Sequence, residues 1–193
     1  AVALCGQLEV EHVSAYLLKV EPGTPFARAH VERECPDEDG QAGLYLCAVA
    51  ALEAGGWRQY EISNFARAGR VARHNLKYWH CEEYLGLGPA AHSFINGERL
   101  YYPRNLEAFL SGCAPVKDGK GGDFSEYAML ALRLTEGLQE EKVRARFGHG
   151  IPKGLRKKAE NLEAHGLLQS DKNGIRLTRN GFLLSNAVLA ELL

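Results

Sequence analysis

His12-Val13-Ser14-Ala15-Tyr16-Leu17-Leu18-Lys19-Val20, closed by Glu21-Pro22-Gly23-Thr24-Pro25, reads as a mostly apolar strand that two prolines and a glycine bring to an end. Asp37-Glu38-Asp39 then opens a helix to about Ala54, with acidic residues at the positive end of its dipole and Gly55-Gly56 at its stop. Leu44, Leu46, Cys47, Val49, Ala50 and Leu52 supply a broad apolar face. Trp57 to Ile62 reads as a second strand and Tyr84 to Leu87 as a short third. Strand, helix, strand in this order implies a parallel sheet with crossover helices, in which ligands sit beyond the carboxyl ends of strands. Those ends are Lys19-Val20-Glu21-Pro22, Ser63-Asn64-Phe65-Ala66 and Gly88-Pro89-Ala90-Ala91-His92. Three strands and one long helix cannot cover both faces of such a sheet, and Ala1-Val2-Ala3-Leu4 starts in mid-pattern. A fragment is therefore expected.

Composition changes further along. Ile95-Asn96-Gly97-Glu98 is hairpin-like, a short helix follows around Leu106 to Leu110, and Pro115 to Asp123, with three glycines and four charges, suits a linker. The expected division is 1–112, a linker at 113–123, and a second domain at 124–193. In the latter, helices are expected over Phe124–Thr135, Glu140–Phe147 and Pro152–His165. Leu167–Ser170 and Gly174–Thr178 form strands across Asp171-Lys172-Asn173, and a last helix starts near Arg179 or Asn180. Three helices and a two-stranded wing make a winged-helix outline. Its third helix carries Lys153, Arg156, Lys157 and Lys158, which invites a DNA-binding reading. Glu160 and Glu163 beside them fit a solvated face better, so nucleic acid is not the expected partner and a docking or lid domain is preferred.

The 193 residues are 46% hydrophobic with a formal charge of −1. Residues 1–112 carry 10 basic and 14 acidic side chains and residues 113–193 carry 13 and 10, too mild a split for a nucleic-acid footprint. No apolar run approaches the ~18 residues of a membrane span and no signal-peptide pattern opens the chain, so a soluble cytoplasmic protein is expected. Cysteines 5, 35, 47, 81 and 113 form no C-x-x-C pair, which fits reduced thiols.

Arg73-His74-Asn75-Leu76-Lys77-Tyr78-Trp79 and Tyr84-Leu85-Gly86-Leu87-Gly88-Pro89-Ala90-Ala91-His92-Ser93 carry the chemistry. Imidazole binds iron or zinc, aromatic faces suit a flat ligand, and glycines admit close backbone approach. Each part also has an ordinary structural explanation: a histidine satisfied by hydrogen bonds, aromatic core anchors, and a G-x-G that only ends a strand.

Together with His12–Tyr16, Glu21–Pro25 and Tyr60-Glu61-Ile62-Ser63-Asn64-Phe65-Ala66, these blocks resemble the oxygen-independent coproporphyrinogen III oxidase-like family of the radical S-adenosylmethionine superfamily, and within it the HemW branch of haem chaperones. Leu177-Thr178-Arg179-Asn180-Gly181 resembles that family's C-terminal domain. The resemblance covers nearly the whole chain. It implies an α/β fold: the last strands and helices of an incomplete radical-SAM (β/α) barrel, then a winged-helix-like α+β domain. It implies haem as cargo, with a 4Fe-4S cluster and S-adenosylmethionine in the full-length parent. The family's C-x-x-x-C-x-x-C cluster loop does not occur here, so catalytic residues and iron–sulfur ligands are expected to be absent and the fragment inactive as an enzyme. His74, Asn75, Tyr78 and Trp79 match H-N-x-x-Y-W, the pattern associated with haem binding, with His74 as axial iron ligand. Arg70 and Arg73 lie close enough in sequence to pair with propionates. Lys19, Gly86, Gly88, Ala91 and His92 match positions lining the S-adenosylmethionine pocket. The function implied is haem binding and delivery to acceptor proteins, some of them membrane-associated, with a homodimer as a further expectation. The alternative is a fragment of a coproporphyrinogen III oxidase of porphyrin biosynthesis.

Overall fold

The computed structural model describes all of residues 1–193. They form two compact units, Ala1–Val71 and Ala72–Leu193. The architecture is mixed α/β with three small three-stranded sheets and no closed barrel.

The first unit contains helices α1 (Val2–Gln7), α2 (Pro25–Arg28) and α3 (Glu38–Ala54), and strands β1 (His12–Ser14), β2 (Arg58–Gln59) and β3 (Asn64–Ala66). Helix α3 starts and stops as its sequence dictates. Asp37 caps it, its carboxylate accepting from Gly40 N at 2.9 Å. At the other end the Trp57 amide donates to the Leu52 carbonyl and Gly56 to Glu53, with Gly56 at φ +89°, the paired bonds of a Schellman stop. That stop throws Trp57 back onto the helix, where it packs with Val49, Leu52 and Phe65 and against Val2, Cys5, Val10, Val13, Ala15 and Tyr45. Its indole N–H donates to the Val10 carbonyl at 2.9 Å and the Arg67 guanidinium lies 4.3 Å over its ring. The face expected from sequence is only partly used: Val49 and Leu52 are buried, while Leu44, Leu46, Cys47 and Ala50 are exposed.

The expected parallel sheet is corrected. Both ladders are antiparallel, in the order β1-β3-β2. The strand expected from Trp57 breaks after Gln59, because Tyr60 N donates to the Asn64 carbonyl and the Glu61 carboxylate accepts from Ser63 N, closing a turn. The chain reverses there and Asn64–Ala66 becomes the central strand. The strand expected over 12–20 pairs only through Ser14, and Tyr84 makes a single bridge to Phe94 rather than a strand over 84–87.

The second unit opens with helix α4 (Arg73–Trp79), then strands β4 (His92–Ile95) and β5 (Glu98–Tyr101), helix α5 (Leu106–Leu110) and strand β6 (Val116–Lys120). Asn96 and Gly97 both take left-handed backbone in the two-residue turn joining β4 to β5. Strand β6, inside the stretch read as a linker, pairs with β5 to complete an antiparallel sheet. Next come helix α6 (Phe124–Ala131), strand β7 (Leu138–Gln139), helices α7 (Glu140–Phe147) and α8 (Lys153–Ala164), strands β8 (Leu168–Asp171) and β9 (Gly174–Leu177), and helices α9 (Arg179–Leu183) and α10 (Ser185–Leu192). Strand β9 lies between β7 and β8. The last helix expected from sequence is two, separated at Leu184.

Helix α8 buries Leu155, Ala159 and Leu162, one stripe at helical spacing. Its cations divide in use: Arg156 bonds the Glu140 carboxylate and the Asp171 carbonyl, and Lys158 the Leu192 carbonyl, while Lys153 and Lys157 are exposed. Two of the four charges read as a basic face thus serve the fold.

Trp57→Ala removes the largest buried side chain of the first unit and should cost about 3–5 kcal/mol. Hydrogen exchange of the α3 amides checks this; protection equal to wild type would show that Trp57 does not anchor that core.

Candidate functional site

Helix α4 places the H-N-x-x-Y-W residues on a single two-turn segment. It stops by the same logic as α3 but without glycine. Cys81 takes left-handed backbone at φ +52°, its amide donates to Tyr78, and the Glu82 amide reaches back to the Lys77 carbonyl at 2.8 Å. A non-glycine residue in that conformation is strained by about 1–2 kcal/mol, so its surroundings must hold it. Arg146 of α7 does so: its guanidinium donates to the His80 carbonyl at 3.1 Å and to the Cys81 carbonyl at 2.8 Å, and lies over the Tyr127 ring. Cys81 is buried, and burial pushes its thiol pKa up, so it is a packing residue rather than a ready thiolate.

A second tie runs from the end of the helix. His80 Nε2 lies 2.9 Å from the Glu136 carboxylate, which Lys142 also reaches at 2.6 Å. The hydrogen bond from His80, helped by Lys142 and opposed by partial burial, lowers the Glu136 pKa from 4.5 to about 2.

The C-terminal end of α4 is thus fixed, and its first turns are open. His74 is exposed, Asn75 and Trp79 are half-buried, and Tyr78 is 38% exposed. His74 Nε2 meets the Tyr78 hydroxyl at 2.8 Å, with the rings edge to face. The Tyr78 ring packs edge-on against Tyr84, centroids 4.6 Å apart. Tyr84 Oη accepts from Arg99 at 3.4 Å, Arg99 Nε donates to Glu126 at 2.9 Å, and Glu126 also accepts from Gly122 N. The structure therefore brings His74, Tyr78 and the start of the glycine segment together. Arg73 is exposed on the first turn of α4, whereas Arg70 belongs to the first unit and pairs with Glu11 at 3.1 Å. That pair is solvent-exposed, of the kind worth at most about 1 kcal/mol.

The glycine segment divides by role. A Cβ on Gly86 would fall 2.0 Å from the His92 carbonyl oxygen, so glycine is required there by packing. Its amide donates to the buried Ser93 hydroxyl. Gly88, at φ +109°, has nothing within 4 Å of a notional Cβ and presents open backbone. Ala91 bonds Gly88 and Tyr102 through its backbone, and exposed His92 stacks on Tyr101 at 5.5 Å. Lys19 lies in the first unit, exposed and paired with Glu21 at 2.9 Å, beside a cavity of about 250 Å³ bounded by Thr24, Pro25 and Phe26.

Sequence reading did not single out His80, Glu136, Arg146, Arg99 or Glu126, whose partners lie far along the chain. Nor did it flag Glu61, which is 1% exposed, with a pKa that burial raises. An acid set between Tyr60 and Ile62 was the available signal. All five cysteines are free, and no group of three or more His, Cys, Asp and Glu side chains gathers for a metal ion. No helix is long and apolar enough to cross a membrane.

A family model described as the HemN C-terminal domain matches residues 124–184. Relatives reach much further. The haem chaperone HemW of Bacillus subtilis is 32% identical over 200 residues, 96% of this chain and 52% of that protein. HemW of Mycobacterium tuberculosis is 37% identical over 97% of this chain and 48% of its own length. The mitochondrial radical S-adenosyl methionine domain-containing protein 1 of Danio rerio is 41% identical over 95% of this chain and 46% of that protein. Over nearly its whole length the chain is thus similar to HemW proteins, and its last third matches the HemN C-terminal domain. It spans about half the length of the curated relatives it matches. The solved structure of the radical SAM enzyme HemN, the coproporphyrinogen III oxidase of Escherichia coli, shares the fold of this chain with a TM-score of 0.72, at 17% identity over 99% of this chain and 50% of that one.

Two outcomes follow. Glu136 is ionised in the folded state down to about pH 2, whereas the unfolded chain binds its proton near pH 4.5. Its contribution to stability is therefore complete above pH 4.5 and is lost as pH falls towards 2. Glu136→Gln should flatten acid destabilisation in that window, read as unfolding midpoint against pH; an unchanged slope would show that the His80–Glu136 tie carries no stability. Gly86→Ala should destabilise the second unit by about 1–3 kcal/mol through overpacking, measured by denaturant titration, and a neutral effect would place its requirement elsewhere.

Proposed function

We propose that the chain is the part of a HemW-like haem chaperone that binds haem through His74 and passes it to acceptor proteins. The observation that carries this is the exposed imidazole of His74, set one helical turn from an exposed tyrosine on α4, in a chain similar to HemW proteins over nearly all its length. A neutral imidazole is an axial ligand for haem iron. Tyr78 and Trp79 offer ring surface for the porphyrin, whose burial is worth about 25 cal/mol per Å². Asn75 completes the set. Arg73, exposed on the same turn, suits a propionate.

The chemistry fits a carrier: an exposed ligand on one helix can receive cargo and release it. The oxidase alternative has less support, since the curated relatives matched over most of the chain include HemW proteins, whereas the likeness to HemN is one of fold, with a sequence match to its C-terminal domain over residues 124–184 alone. The part before residue 113 is read as barrel-derived, 113–123 as a junction, and 124–193 as a winged-helix-like domain. The order helix, strand, helix, helix, two-stranded wing, with the last strand central, supports the last of these. A docking role suits it better than nucleic acid, because Arg156 and Lys158 are engaged within the fold.

In the whole protein, S-adenosylmethionine would meet the open backbone of Gly88 with Ala91 and His92, while Gly86 shapes the turn that presents them; Lys19, in the first unit, is a separate candidate contact for it. The scattered cysteines here provide no three-thiolate set for a 4Fe-4S cluster, and no step is assigned through one. Haem-accepting proteins, membrane-associated ones among them, a second copy of the chain and a cytoplasmic setting complete the proposal.

Titration with hemin, followed by Soret absorbance, tests it. Wild type should bind one hemin saturably, and His74→Ala should weaken binding at least tenfold, about 1.4 kcal/mol. Equal affinity in the two would remove His74 from the site.

A further inference from the structure

His74 and Tyr78 are four residues apart on α4, the spacing at which helical side chains meet, and they do so through Nε2 and the phenol oxygen at 2.8 Å. A neutral imidazole has one lone pair available to a partner. A hydroxyl donating to Nε2 occupies that pair and leaves the ring proton on Nδ1. Nε2 is also the nitrogen at the outer end of the ring, the one best placed to reach an iron atom.

We propose that Tyr78 is a positioning residue that competes with haem iron for Nε2 of His74, holding the imidazole as a ready neutral ligand and taking it back when the cargo leaves. This rests on the haem-ligand reading of His74. Loading breaks the Oη–H···Nε2 hydrogen bond and forms the iron–Nε2 bond in place of the water or donor ligand with which the iron arrives. No proton or electron moves, and the Tyr78 hydroxyl passes to water, which its exposure allows. Unloading reverses both changes.

The competitor must stay in place while the ligand is away. The Tyr78 ring also packs edge to face with Tyr84, whose hydroxyl is reached by Arg99, itself paired with Glu126 of α6. The phenol is therefore anchored independently of His74. A hydrogen bond of ordinary net strength changes affinity by roughly two- to tenfold, enough to make cargo exchangeable without abolishing binding.

Tyr78→Phe keeps the ring contact with Tyr84 and deletes only the hydroxyl. It should bind hemin roughly two- to tenfold more tightly and release it to apomyoglobin correspondingly more slowly. The 15N shifts of the His74 ring in the wild-type chain should place the proton on Nδ1. In the Tyr78→Phe/His74→Ala double variant, binding should match His74→Ala alone. Equal or weaker hemin binding by Tyr78→Phe, with His74→Ala still defective, would overturn the competitor and leave the ligand reading standing. So would a ring proton found on Nε2. Undiminished binding by His74→Ala would instead remove the ligand reading, and the competitor with it.

Discussion

Arg146 holds the carbonyls of His80 and Cys81, and the open His74 face depends on that clamp. A seven-residue helix has too few internal hydrogen bonds to persist on its own, so its geometry must come from its ends and its packing. Helix α4 ends on a left-handed cysteine, a conformation that glycine takes freely and cysteine does not. The guanidinium fixes the two carbonyls next to that strained residue, and the His80–Glu136 pair fixes the neighbouring side chain. One end is anchored in the 124–193 part of the unit; the other is free to meet a ligand.

That division of labour explains why the recognisable motif and the residues that position it are separate. His74 and Tyr78 do the chemistry and sit at the surface. Glu126, Glu136 and Arg146 sit on the α6-to-α7 sequence and Arg99 on the central β5 strand, and none of them belongs to the motif. The half-buried Arg99–Glu126 pair is supported by Phe94 beneath the guanidinium and by the Gly122 amide. Such a pair contributes more to orientation than to net stability, since desolvation offsets much of its attraction.

Sequence made some of this legible for physical reasons that are local. Asp37 and Gly55-Gly56 bound α3 because caps act within four residues, and Asn96-Gly97 marks a hairpin because few residues accept its backbone. The strand expected from Trp57 to Ile62 stops short because the turn at Tyr60–Ser63 buries Glu61, which no periodicity reports. Leu44 and Leu46 carry an apolar pattern that the structure leaves exposed, since pattern shows what can be buried and not what is. Imidazole at 74 and phenol at 78 were both visible as candidates. Their mutual bond was available from the i, i+4 spacing alone, whereas the Arg146 clamp spans 65 residues and leaves no trace in local sequence.

The most direct measurement is hydrogen–deuterium exchange, read by mass spectrometry, on the whole chain with and without one equivalent of hemin. A site built on His74 and Tyr78 should slow exchange in peptides covering 73–79 and 84–88 and leave α8 and the β8–β9 hairpin unchanged. Hemin bound with no change at 73–79, or with slowing confined to α8 and the hairpin, would contradict it.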